Sequence, residues 1–92
     1  MSAIYTKKGL ALELSDGDLF SPSGRHVGRV RGGKAYGPDG RYVGTLDGDR
    51  LVYRSKDSAK KTSAYSPRSN NGHSIANKGP TAISGEEPPI AD

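Results

Sequence analysis

Five basic residues lie close together in the chain: Arg25, Arg29, Arg31, Lys34 and Arg41, with Tyr36 and Tyr42 among them. Cationic side chains interleaved with aromatic rings suit phosphate-bearing partners, because the charges meet phosphate oxygens while the rings stack on bases or sit at a headgroup layer. These seven residues form the candidate anion-binding surface, for nucleic acid or anionic lipid. The plainer reading is structural. An arginine on a strand often pairs with an aspartate on the neighbouring strand, and charges interleaved with acids form a solvated face.

Other chemistry is thinner. His26 and His73 are the sole histidines and there is no cysteine, whereas a structural zinc site takes about four ligands at close spacing. Asp16-Gly17-Asp18 and Asp47-Gly48-Asp49 lack the alternating acids and distal Glu of a calcium loop. Gly32-Gly33-Lys34 is followed by Ala35, not by the Ser or Thr of a phosphate-binding loop. The serines sit in turns or near the C-terminus without a partnered base, and Asp39 and Asp47, the one imaginable carboxylate pair, are turn residues. No catalytic residue, metal site or cofactor is expected, and the chain reads as a non-enzyme.

The elements that must position these residues follow from a duplication. Residues 19–30 read LFSPSGRHVGRV and residues 35–46 read AYGPDGRYVGTL, offset by 16. A fixed short period marks copied supersecondary units that bury a core together. Ser21-Pro22-Ser23-Gly24 and Gly37-Pro38-Asp39-Gly40 have Pro where φ near −65° is needed and Gly where φ is positive, the pattern of a type I turn with a glycine bulge. Asp16-Gly17, Gly32-Gly33 and Asp47-Gly48 are type I′ hairpin dipeptides. The segments between are short strands, so the expectation is all-β with every connection a hairpin. Strict alternation puts Leu10, Leu12 and Leu14 on one face with His26, Gly28 and Val30 and with Tyr42, Gly44 and Leu46. The opposite face takes Ala11, Glu13, Val27, Arg29, Val43 and Thr45. Recurrence of Gly28 and Gly44 inside strands suits a close approach of neighbouring backbones or a bulge.

Hydrophobic residues make up 32% of the 92, with 13 Gly and 6 Pro, so the core is small and ring closure or self-association would help it. The net charge is +4. The absence of cysteine, of a basic-then-apolar leader and of a run of roughly 20 apolar residues leads to the expectation of a cytoplasmic protein without a membrane span.

The aromatic that opens each unit (Tyr5, Phe20, Tyr36, Tyr53), the turn ending in Gly, the Gly-Arg-x-Val-Gly strand and the following Asp-Gly turn resemble the four-fold β-flower family of bacteria. Residues 19–30 and 35–46 carry the resemblance, and 4–14 and 51–54 extend it. It implies a pseudo-four-fold symmetric, all-antiparallel disc or shallow barrel, and no activity to carry over. Residues 54–63 depart from the pattern, lacking the Gly turn and the Val-Gly strand. A weaker likeness is to the tyrosine-aspartate (RHS-type) repeats of bacterial toxin shells, whose repeat is longer. The expected organisation is a hairpin-repeat domain over 1–65, with units near 3–17, 18–33, 34–49 and 50–65. Residues 71–75 are a candidate degenerate strand. Residues 66–92 are expected to be a flexible tail, disordered from about 77, and removal of 77–92 is expected to leave stability unaltered. The expected function is a small structural or protein-interaction module that binds a protein partner or itself. The alternative is the anion-binding module.

Overall fold

Turns set this architecture. Asp16-Gly17 and Gly32-Gly33 each hold two successive positive φ angles (52° and 81°, 57° and 79°), which reverse the chain with the twist that neighbouring strands require. The third tight turn is centred on Gly48-Asp49, between the paired Asp47 and Arg50, and not on Asp47-Gly48. Of its two central residues Gly48 alone has positive φ, a type II′ pattern. In the other class of turn the Gly24 N–H donates to the Ser21 carbonyl and the Gly40 N–H to the Gly37 carbonyl, both at 2.9 Å.

The computed structural model describes residues 2–90; Met1, Ala91 and Asp92, the last two belonging to the expected tail, lie outside the described residues. Seven strands follow in order: β1 (Ser2–Thr6), β2 (Ala11–Ser15), β3 (Asp18–Phe20), β4 (His26–Arg31), β5 (Lys34–Tyr36), β6 (Tyr42–Asp47) and β7 (Arg50–Val52). Each pairs antiparallel with the next, and the sheet closes into a barrel. The closing pair corrects the all-antiparallel expectation: β1 and β7 run parallel, with Tyr5 opposite Arg50 and Thr6 opposite Leu51. Seven strands laid alternately up and down bring the first and last to the seam in the same direction. The fourth unit, expected over 50–65, supplies one strand, and neither 54–65 nor 71–75 contains a named strand.

The β3–β4 and β5–β6 pairs share one register displaced by 16 residues. Leu19 faces Gly28 and Phe20 faces His26, while Ala35 faces Gly44 and Tyr36 faces Tyr42, each pair skipping one residue. The skipped residues, Val27 and Val43, are bulges, and a bulge turns the side chains beyond it. This overturns the strict alternation. Ile4, Leu12, Leu19, Ala35 and Leu51 form the core, with Leu10, Leu14, Val27, Val30 and Leu46 packed against it. Val27 therefore joins the core side, and His26 and Tyr42 leave it for an outer layer beside Phe20 and Tyr36.

That outer layer is covered by the rest of the chain. After Arg54 and one 3-10 turn (Ser55–Asp57), the chain circles the rim as a belt in steps of eight residues. Thr62 N–H donates to the Gly40 carbonyl (2.8 Å), Asn70 N–H to that of Gly24 (2.9 Å) and Lys78 N–H to that of Gly9 (2.9 Å). Glu86 then exchanges two main-chain bonds of 2.7 Å with Tyr53. A second set keeps the same step: Tyr65 to Pro38 O, His73 to Pro22 O, Thr81 to Lys7 O. The belt thus meets the turns in reverse chain order and ends beside β7, where it began. Pro88 is buried and Ile90 packs against the core. The segment expected to be a flexible tail has this path and these partners as far as Ile90, so neutral removal of 77–92 is not what its contacts imply.

Candidate functional site

Two features stand out on the barrel: an ionic cluster under the belt, and the line of main-chain contacts between belt and rim. The cluster centres on Asp18, whose side chain is 6% exposed. Cross-strand pairing puts Arg29 opposite it, and Arg29 Nε donates to Oδ1 at 2.9 Å. From the belt, Arg68 Nη2 donates to Oδ2 at 2.7 Å. His26 Nδ1 accepts the Arg68 main-chain N–H at 3.1 Å, which assigns the proton of the neutral ring to Nε2. Asp18 Oδ1 lies 3.1 Å from Nε2 but off the direction of a hydrogen bond. Burial works to raise the Asp18 carboxyl, and the hydrogen bonds from Arg29 and Arg68 outweigh it, holding the group below its ordinary value.

Aromatic rings close over this cluster. The His26 ring stacks on Phe20 at 5.1 Å and meets Tyr65 at 4.9 Å. The Arg29 guanidinium lies 4.2 Å from the Tyr65 ring centre and that of Arg68 lies 5.2 Å from Phe20, distances at which a cation is drawn to a ring face. The Tyr65 hydroxyl donates to the Tyr36 carbonyl at 2.7 Å. Burial pushes its phenol up to about 12, against the opposing pull of Arg29.

The seven sequence-selected residues do not assemble into one patch. Arg29 is engaged by Asp18, the cross-strand partner of the plainer reading. Tyr36 and Tyr42 are buried, at 8% and 6% exposed, with their rings edge to face; the Tyr42 hydroxyl accepts from Arg54 N–H and lies 2.6 Å from the Thr45 hydroxyl. Arg31 and Lys34 face one another across the Gly32-Gly33 turn. Arg25 and Arg41 are exposed at equivalent rim positions, each bridged to the belt through its main chain, at Ser69 and Lys61. Asp18, Tyr65 and Arg68 were missed. The signal for the belt was the spacing of Thr62, Asn70, Lys78 and Glu86, whose types have nothing in common because their main chains make the contacts.

Among the described residues no group of three His, Cys, Asp or Glu is placed to hold a metal ion, and no helix is long and apolar enough to cross a membrane. Compared with protein-family models, with curated proteins and with solved structures, the chain matches none.

Proposed function

We propose that the protein is a small, non-enzymatic interaction module whose working surface is the barrel rim. The observation that carries this reading is the eight-residue register of the belt. A rim that holds an extended chain through main-chain bonds at regular intervals recognises polypeptide in the manner of an added strand. The partner is then another polypeptide or a second copy of this chain, in the cytoplasm. The flower-like, pseudo-four-fold arrangement of 16-residue units belongs to the same proposal. Its support is the shared register of β3–β4 and β5–β6. The recurrent bonds from Val30 N–H to Gly17 O, from Leu46 N–H to Gly33 O and from Tyr5 N–H to Asp49 O add to it.

The anion-binding alternative draws on cations split between the two classes of turn, Arg25 and the Asp39-paired Arg41 on one and Arg31 and Lys34 on the other, since Tyr36 and Tyr42 offer no open ring face and Arg29 is engaged by Asp18. The experiment is photo-crosslinking in source cells, with a photoreactive residue at belt positions Ser66 or Ala82 and, as a control, at Gly32 on the opposite class of turn. Specific protein adducts at the belt positions are expected. Adducts with nucleic acid or lipid, or none above the control, would overturn the reading.

A further inference from the structure

The last six residues of the belt are held by side chains as well as by the main chain. Gly85 has φ of +136°, and a side chain there would meet Val52 Cβ at 2.9 Å and Tyr53 O at 3.0 Å, so the position takes only glycine without displacement. The Lys7 ammonium donates to the carbonyls of Ile83 (2.9 Å) and Gly85 (2.6 Å). Glu86 forms the two main-chain bonds with Tyr53 at the end of β7. The Glu87 carboxylate accepts the Thr6 hydroxyl on one oxygen (2.9 Å) and the Lys8 main-chain N–H on the other (2.8 Å). Pro88 is buried, Ile90 packs against the core, and the exposed Pro89 joins Ile90, Val27 and Val43 in lining one cavity. A strand end, a lysine, a hydroxyl–amide pair that grips a carboxylate, and an apolar contact converge on one short segment, bent at residues 83–85 and turned at Pro89 by the Ile90 N–H to Pro88 carbonyl bond of 2.8 Å.

We propose that this is a peptide-recognition site for a Gly-x-Glu-Pro-Pro-aliphatic segment of a partner protein, occupied in the resting chain by the protein's own residues 85–90. The inference rests on the interaction-module reading and narrows it to one surface and one ligand chemistry. Recognition combines strand addition at Tyr53 with the fixed φ of two consecutive prolines, which leaves less backbone entropy to lose on binding. The tethered segment competes at an effective concentration on the order of millimolar. A partner therefore succeeds where it binds more tightly than that or where the resident segment is released.

The test uses the full chain carrying Glu87→Ala and Ile90→Ser, which weakens the resident segment and leaves the rest of the belt. The probe is a fluorescein-labelled peptide of residues 83–92, read by anisotropy. Saturable binding is expected, at least tenfold weaker to the unsubstituted protein, and lost when the peptide carries Gly85→Val or when the barrel carries Lys7→Ala. Should the double variant fail to fold, Glu87→Ala alone, with the Tyr53 amide followed by NMR during peptide addition, gives the same reading. A folded variant that binds no peptide, or binds the Gly85→Val peptide equally well, overturns the site. Protein crosslinks at Ser66 or Ala82 would then still stand for the broader function, so the two failures are distinguishable.

Discussion

Gly28 and Gly44 sit at equivalent places in β4 and β6, neither with a positive φ, yet Leu19 and Ala35 flank the first where Ala35 and Leu51 flank the second. A Cβ added at Gly28 would meet Ala35 Cβ at 3.6 Å and Leu19 Cδ1 at 3.7 Å, ordinary contacts. At Gly44 it would meet Leu51 Cδ1 at 2.9 Å, Leu51 Cγ at 3.0 Å and the Val52 carbonyl at 3.3 Å. Leu51 stands where the preceding unit has Ala35, and it is fully buried, so its methyl has no open space to enter. Replacing Gly by Ala at a permitted φ stabilises by about 0.4–1 kcal/mol through the unfolded chain. Overpacking a filled core costs about 1–3 kcal/mol. Gly28→Ala is therefore expected to raise stability by about 0.5 kcal/mol and Gly44→Ala to lower it by about 1–2 kcal/mol, the balance of those two effects. For a chain of this size each kcal/mol moves Tm by about 4–8 °C, so thermal and urea unfolding resolve the two variants easily. Leu51→Ala alone should cost about 2–5 kcal/mol, but added to Gly44→Ala it gives the alanine–alanine contact that Gly28→Ala makes with Ala35. The double variant should then be less damaged than the sum by about 0.5–3 kcal/mol. Tm shifts of the same sign and size for both glycine variants, or a cycle additive within about 0.5 kcal/mol, would refute the close-approach argument.

Gly24→Val and Gly40→Val force a branched side chain into positive φ and onto the belt carbonyls of Asn70 and Thr62. Each should destabilise by about 1–3 kcal/mol and speed amide exchange across the belt, and an unchanged Tm in both would contradict the turn assignment. Deleting 77–92 removes the Lys78, Glu86 and Glu87 bonds and the Ile90 contact, so a Tm lower by several degrees is expected, and no change would mean that this part of the belt does not hold the fold. Asp18 is depressed below its unfolded value of 3.8, so its contribution is present above that value and is lost as pH falls through the lower folded one. Asp18→Asn should be less stable at neutral pH, and the two stability curves should converge on acidification; curves that stay parallel would refute the ionic role. Tyr65 is pushed up to about 12, so its neutral form adds stability below the ordinary phenol value that disappears as pH rises toward 12. Tyrosinate absorbance in Tyr65→Phe should lose a late-titrating component.

Much of the barrel was legible because its information is local. Pro22, Gly24 and Gly40 declare their turns by backbone preference, and the 16-residue repetition predicts that 18–33 and 34–49 share a register. The inside and outside of β4 and β6 were misread beyond Gly28 and Gly44. A bulge adds one residue without changing the residue types, so period-2 counting carries the error on to His26 and Tyr42. The belt was illegible for another reason. Its contacts are made by main-chain N–H groups, which every non-proline residue has, and its polar, glycine- and proline-containing composition is also that of a disordered segment. The ionic cluster needed both layers at once: Arg29 and Asp18 could be paired from strand logic, but Arg68 reaches them across 50 residues of chain.

The belt also accounts for how so small a core is sufficient. A seven-strand barrel with strands of three to six residues leaves turn carbonyls at the rim and a second aromatic layer outside the core, and either would weaken the fold if left bare. The belt satisfies the carbonyls of Gly9, Gly24 and Gly40 and covers Phe20 and His26 with Tyr65 and Arg68. On the proposed reading, stability and recognition share the same contacts. A ligand that displaces any part of the belt must replace the bonds it breaks, which selects for polypeptides that reproduce the belt's spacing and disfavours ligands that offer charge alone. At the proposed site over residues 85–90 such a ligand would have to bring a glycine, a carboxylate and an aliphatic side chain in register with Tyr53.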